Sequence, residues 1–301
     1  MKNSPNKKLT LTVGITTCYG DISILETVKS IRASVAVPHF RFIIVADRKP
    51  FAERVKKELK KYDVELIENK VEAGQCPKKK QIISMATSDI LIFTQDDVLF
   101  ESSALAKILQ RFTSNPNTKL ISIRKQPLPT TNLFEDTTRV GTRVINRIAH
   151  LWNGGDNYLA TVGRCMAVRT NWVRKFTIPD EVVSSDAYFY FENKRLGGGF
   201  EYLSDIAVLY RKPQSLKEHH RKSSRFQYQR QEMTKYFGDV ESNYKIPKAL
   251  FLSAFFSELV SNPLKMLFYL GIYVYTHIFK QDVRNALNPI WEVDVSTKKI
   301  N

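Results

Sequence analysis

Cysteine is scarce in this chain: three residues of 301, Cys18, Cys76 and Cys165. They stand far apart and form no CxxC pair, which argues against a zinc site and gives no disulfide framework. The expectation is a reducing compartment. Long apolar runs are lacking too. No stretch of about 18 to 20 uninterrupted apolar residues occurs, so a simple membrane-spanning helix is not expected. Residues 1–8 are polar, without the apolar stretch of a secretory signal. Internal repeats and low-complexity tracts are missing. Negative charge is in deficit, with 30 Asp and Glu against 46 Lys and Arg, for a formal charge of +16. Such an excess favours a polyanionic partner: nucleic acid, an anionic membrane surface or a phosphorylated substrate. A merely basic, soluble surface is an equal reading of composition alone.

Hydrophobic residues make up 43% and charged residues 25%, the balance of a globular chain rather than a disordered one. The length suits one large domain with an appendage. Three short, near-continuous β-rich runs come early, at residues 9–17, 40–46 and 90–94, and a weaker one lies at 64–67. Each strong run has the pattern of a buried parallel strand. Helical stretches separate them. Residues 22–34 put Ile22, Leu25, Val28 and Ile31 on one stripe, 51–62 carry Val55 and Leu59 among charges, and 78–86 lead into the third run. Strands alternating with helices are βαβ units, so the fold class is α/β, a mostly parallel sheet flanked by helices. Beyond Val98 the pattern predicts a helix over 102–112, a strand over 120–124, a loop from Pro127 to Asp136, and a basic helix over 215–235.

Ligands of open parallel sheets bind at the carboxyl ends of the strands, where loops converge. After the first run come Thr17, Cys18, Tyr19, Gly20 and Asp21; after the second, Asp47, Arg48 and Lys49; after the third, Gln95, Asp96 and Asp97. Acidic and hydroxyl groups from three strand ends therefore converge on one rim. Asp47 is placed to accept hydrogen bonds from a base or ribose, or else it caps the following helix. Adjacent carboxylates repel unless a cation neutralises them, and hard divalent ions want oxygen ligands. Asp96 and Asp97 thus suit Mg or Mn bridging a diphosphate leaving group.

In order and spacing, from about residue 9 to 226, these segments resemble the inverting family 2 glycosyltransferases of the GT-A fold. Ile15-Thr16-Thr17-Cys18-Tyr19 looks like the family's opening strand and base-binding loop, and Val45-Ala46-Asp47 like its uracil-contacting acid. Gly74 through Lys80, then residues 88–97, are similar to the glycine-to-basic segment leading into the acidic metal motif. Val162-Gly163-Arg164-Cys165 opens a stretch similar to the glycine-containing strand lining the donor sugar. The resemblance implies a nucleotide-sugar site of Thr17, Tyr19, Asp47, Lys79, Gln95, Asp96, Gly163 and Arg225, with a metal on Asp97 and Asp96. Where the family often has Asp-x-Asp, either Gln95 replaces the first acid and Asp97 is the second, or Asp96 does the work. The family's arginine in the glycine segment appears as Lys79, which keeps the charge and loses the planar fork.

Ser184-Ser185-Asp186-Ala187-Tyr188, followed one helical stretch later by Gly197, resembles the segment holding the catalytic base. An inverting transfer needs a carboxylate to take the acceptor hydroxyl proton. Asp186 fits that role, with Glu192 as the fallback; the plainer alternative is that Asp186 only starts a helix. Arg221-Lys222-Ser223-Ser224-Arg225-Phe226 resembles the QxxRW element in part, with Lys222 at the Gln position and Phe226 at the Trp position. Arg225 then binds pyrophosphate, or, in the alternative, belongs to a solvated basic helix. Tyr210-Arg211 stands where some GT-A enzymes place a metal-binding histidine.

Residues 249–279 are apolar and aromatic, broken at Glu258, Asn262-Pro263, Lys265 and His277. Aromatic rings with cations nearby favour the membrane interface. The pattern predicts two interfacial helices split at Pro263, with packing on the enzyme or a homodimer as the alternative. The chain then divides into a GT-A domain over 8–231, a membrane-interface helical segment over 245–285 and a polar tail over 286–301. The implied function is inverting transfer of a hexose from a nucleotide diphosphate sugar, with Mn or Mg, to a hydroxyl of a lipid-linked or glycan acceptor. The implied place is the cytoplasmic, inner face of the cell membrane, on an anionic lipid surface. A nucleic-acid-binding protein is the second class, disfavoured because the aromatics gather in an apolar tail instead of interleaving with basic residues. An inactive GT-A scaffold is the third, permitted by Gln95.

Overall fold

The first strand, β1 (Leu11–Thr17), is buried at every position, as a strand covered on both faces must be. A computed structural model describes residues 8–18, 23–290 and 294–300 of the chain. After β1 come α1 (Ser23–Arg32), β2 (Arg41–Ala46), α2 (Glu53–Lys61), β3 (Val64–Glu68), α3 (Gln75–Met85) and β4 (Ile90–Thr94). Then follow β5 (Val98–Phe100), α4 (Ala104–Ser114), β6 (Thr118–Pro127), α5 (Leu133–Leu151), β7 (Cys165–Arg169), α6 (Thr170–Val173), α7 (Ser185–Arg195) and β8 (Gly199–Tyr210). Helices α8 (Leu216–Phe237), α9 (Glu241–Tyr244), α10 (Lys248–Ser261), α11 (Pro263–Ile278) and α12 (Val283–Ala286) complete the set.

The strands form one sheet in the order β3-β2-β1-β4-β7-β6-β8-β5. The half containing β3, β2, β1 and β4 is parallel, β6 pairs parallel with β8, and β7 and β5 enter antiparallel. Side chains alternate across the strands with period two. In β4, Ile90 and Ile92 join the core under α1, α2 and α4, while Leu91 and Phe93 join the one under α3 and α7. Continuous burial of the early runs follows from helices on both faces, as the sequence pattern indicated. The register sets Thr17 beside Ala46 and Ile15 beside Thr94, so three strands deliver their carboxyl ends to the same rim.

The predicted loop through Asp136 ends earlier than expected. Asn132 caps α5, its side chain accepting the Glu135 N–H at 2.8 Å, and Glu135 reaches back to accept the Thr131 N–H at 2.9 Å. These two contacts start a helix inside a polar tract. The buried stripe of α5 (Val140, Val144, Ile148) packs against Ala254 of α10 and Met266 of α11. Gly141 faces the Tyr269 ring so closely that a Cβ there would lie 2.2 Å from it. The apolar segment does form two helices separated at Asn262, with Pro263 opening the second. None of the described helices is long and apolar enough to cross a membrane. The basic helix α8 runs through residue 231 to Phe237. Residues 294–300, expected as part of a polar tail, lie against α8 and the sheet rim.

Candidate active site

Hydrogen bonds join the three strand ends. The Asp47 N–H donates to the Thr17 carbonyl at 3.2 Å, and the Thr17 hydroxyl donates to Asp96 at 2.6 Å. Asp47 is buried, pairs with the ammonium of Lys78 and accepts the Ala73 N–H at 3.2 Å. Asp97 takes Arg164 at 2.9 Å. Between the adjacent carboxylates lies the ammonium of Lys298, bonded to Asp96 and 3.7 Å from Asp97. Burial alone would push the Asp97 carboxyl up, but Lys298, Arg164 and Lys222 outweigh it and hold it down to about 2. Burial works against the charged form of Lys298, and the two carboxylates more than reverse that. The Arg164 guanidinium stacks 4.2 Å from the centre of the Tyr210 ring, with the Lys222 ammonium 5.6 Å from it.

Arg164 also carries the rim toward Asp186, because its neighbour Gly163 touches that residue. The Gly163 N–H donates to Asp186 at 3.3 Å. A Cβ at 163 would stand 3.4 Å from the same oxygen, in ordinary contact with it. Asp186 sits in the first turn of α7 and also accepts the Ala187 N–H at 2.9 Å, where orphan helix donors and the dipole favour an acid. The approach to that turn is held by Glu232 of α8, which accepts the N–H groups of Val183 and Ser184 at 2.7 and 3.0 Å. Arg225, on the same helix, is penalised by burial and lies within electrostatic reach of Asp294, Arg221, Asp186 and Arg164.

Most of the residues expected at the site therefore come together. Thr17, Asp47, Asp96 and Asp97 share one hydrogen-bonded rim, Gln95 follows β4 half-buried beside them, and Gly163 and Asp186 adjoin it through Arg164. Tyr19 lies outside the described residues. Lys79 requires a correction. It was expected in the donor cleft, yet its ammonium turns inward, bonding the Ser185 hydroxyl at 2.7 Å between the rings of Phe189 and Phe93. Successive residues of a helix point about 100° apart, so the lysine that faces Asp47 is Lys78. The fallback acid Glu192 is engaged elsewhere, with Arg195 at 2.7 Å and the Thr177 N–H at 3.2 Å. Three contributors escaped the sequence reading: Lys78, Arg164 and Lys298. The first two lie inside motifs already singled out. Lys298, 202 residues from its partner Asp96, left no local signal.

A divalent cation suits the Asp96–Asp97 pair. An ammonium already occupies the gap as a stand-in ion, and the donors are hard carboxylate oxygens. Among the described residues no group of three His, Cys, Asp or Glu could hold a metal by itself. Two carboxylates, with the remaining positions left to phosphate oxygens and water, match how Mg is ordinarily held.

The sequence matches the description "Glycosyl transferase family 2" over residues 12–179, more than half of the chain. No curated protein sequence matches it. Similar solved structures include a mannosyltransferase of Pyrobaculum calidifontis in complex with GDP-Man and Mn2+. It is 14% identical, with a TM-score of 0.60, over 94% of this chain and 79% of that one. TarS residues 1–349 of S. aureus gives 14% identity and a TM-score of 0.52 over 89% and 81% of the two chains. Glucosyl-3-phosphoglycerate synthase of Mycobacterium tuberculosis with Mn2+, UDP and phosphoglyceric acid gives 12% and 0.55 over 78% and 80%. At such identities the likeness is one of fold, and that fold is GT-A. Together with the sequence match, it makes this chain a member of the family 2 glycosyltransferases.

Proposed function

We propose that this enzyme transfers a hexose, with inversion, from a nucleotide diphosphate sugar to a hydroxyl of a lipid-linked or glycan acceptor at a membrane surface. The observation that carries the reading is the shared rim: Asp96 and Asp97 hold the Lys298 ammonium just past β4, and Asp186 adjoins them through Gly163 and Arg164. Asp47 and Thr17 lie where a nucleoside would meet the ends of β1 and β2. Asp96 and Asp97 would hold a divalent Mn or Mg ion, which would neutralise charge on the departing diphosphate. Arg164 and Arg225 bring further positive charge to the same side. Similar folds solved with GDP-Man and Mn2+, or with UDP and Mn2+, support this assignment of the cleft.

Asp186 takes the proton of the acceptor hydroxyl as its oxygen attacks the anomeric carbon. The new C–O bond forms as the bond to the diphosphate breaks, and the nucleoside diphosphate leaves with the bonding pair. Asp186→Asn keeps the shape and removes the proton acceptor. Nucleotide binding by calorimetry should stay within a factor of two or so, while turnover falls about 10²- to 10⁴-fold. Transfer at the normal rate would remove Asp186 from this role.

The membrane part of the reading rests on α10 and α11. One side of the pair packs on α5, yet Val260, Leu264 and Phe268 remain exposed, Val260 at 82%. Lys248, Lys265 and Lys280 flank them. Soluble monomers seldom leave such a surface open, and apolar exposure edged by cations fits the inner, anionic face of a cell membrane.

A further inference from the structure

The cleft just described is already filled by the chain itself. Lys298 places an ammonium between Asp96 and Asp97. In the same segment, Asp294 places a carboxylate on Arg221, whose Nη2 and Nε lie 2.7 and 3.1 Å from one oxygen, and it reaches Arg225 electrostatically. A cation sits on the acids and an anion on the arginines, the charge pattern of a metal ion beside a diphosphate. Earlier in the chain, Pro289 lies against Gly74, such that a Cβ on Gly74 would meet its carbonyl oxygen at 2.9 Å. Gly74 follows Ala73, which bonds Asp47.

Polar contacts hold the segment down. Ser296 accepts the Gln214 N–H at 3.1 Å and gives its own N–H to Glu218 at 3.2 Å. The Lys299 carbonyl accepts from Arg211 at 2.9 Å. Of its aliphatic side chains Ile300 is buried, whereas Val295 is 64% exposed. The Lys298 and Asp294 ion pairs use the partners that a metal ion and a diphosphate would use, so segment and donor exclude each other.

We propose that residues 294–300 form an autoinhibitory strap across the donor cleft, with Lys298 and Asp294 standing in for the metal and the diphosphate, so that donor enters only as the strap leaves. The strap rests on the reading of Asp96 and Asp97 as the metal site. Apparent affinity falls by the fraction of molecules whose strap is open, so a strap closed nine-tenths of the time weakens binding about tenfold.

The test is titration of Mn2+ by electron paramagnetic resonance in the presence of UDP or GDP, on the full chain. Lys298→Met keeps the aliphatic stem and removes the charge; Lys298→Arg keeps the charge. The strap expects Lys298→Met to bind Mn2+ about tenfold more tightly than wild type, Lys298→Arg to stay near wild type, and Asp97→Asn to lose binding. Hydrogen exchange supplies a second readout: amides of 294–300 in wild type should lose protection when Mn2+ and nucleotide are added together. Equal or weaker Mn2+ binding by Lys298→Met, with Asp97→Asn still defective, overturns the strap and leaves the metal site standing. Absence of Mn2+ binding by wild type and Lys298→Met alike overturns the metal site, and the strap with it.

Discussion

Lys212 sits at the end of β8 with its ammonium on the Thr138 carbonyl at 2.6 Å and the Thr142 hydroxyl at 2.8 Å. Burial, then the positive charge of Lys125, Arg164 and Arg139, pull it down to about 7, against support from Glu135. The ordinary value of 10.5 applies once the chain unfolds. Between about pH 7 and 10 the unfolded chain therefore carries a proton that the folded chain lacks, and stability contributed at this position rises with pH. Lys212→Met removes the effect. The stability of wild type relative to this variant, from urea unfolding, should rise between pH 7.5 and 9.5 by at most about 1.4 kcal/mol per unit. Parallel profiles would contradict the burial argument.

Asp47, Asp96 and Asp97 were readable because each follows a buried apolar run, and a strand must end where its pattern ends. Lys79 was misplaced for an equally local reason. Neighbouring lysines look alike in sequence, and only the helix phase decides which faces Asp47 and which lies between Phe93 and Phe189.

At the scale of elements, continuous apolar runs made β1, β2 and β4 plain, and Pro263 marked the break between α10 and α11. Helix α5 was harder. Its start depends on Asn132 capping the Glu135 N–H and Glu135 accepting from Thr131, within a polar stretch that also fits a loop. The exposed side of α10 and α11 leads to a prediction of its own. Burial of a Val, Leu or Phe side chain contributes about 1.5 to 3 kcal/mol. Replacing Val260, Leu264 and Phe268 together with serine should lower cosedimentation with anionic phosphatidylglycerol vesicles more than tenfold. Because these side chains are exposed, the melting temperature without vesicles should change little. Equal vesicle binding by wild type and the triple variant would contradict an interfacial role.

For the whole molecule, the sheet topology gathers residues from distant parts of the chain on one rim. Asp96 meets Thr17 across 79 positions and Lys298 across 202. Ordered motifs announced the first contact, since strand ends in a parallel sheet converge by construction. Nothing local announces the second, because a short polar segment has no periodicity to fix where it docks. The proposed function makes Asp96 and Asp97 a metal-dependent donor site. Its most direct test is a thermal-shift screen of nucleotide sugars, with Mn2+ and with chelator, on wild type and Asp97→Asn, since a ligand that binds the folded state raises its apparent stability. At least one nucleotide sugar should raise the melting temperature of wild type with Mn2+ only and leave Asp97→Asn unmoved; a shift that persists in the chelator and in the variant, or no shift with any donor, would rule that site out.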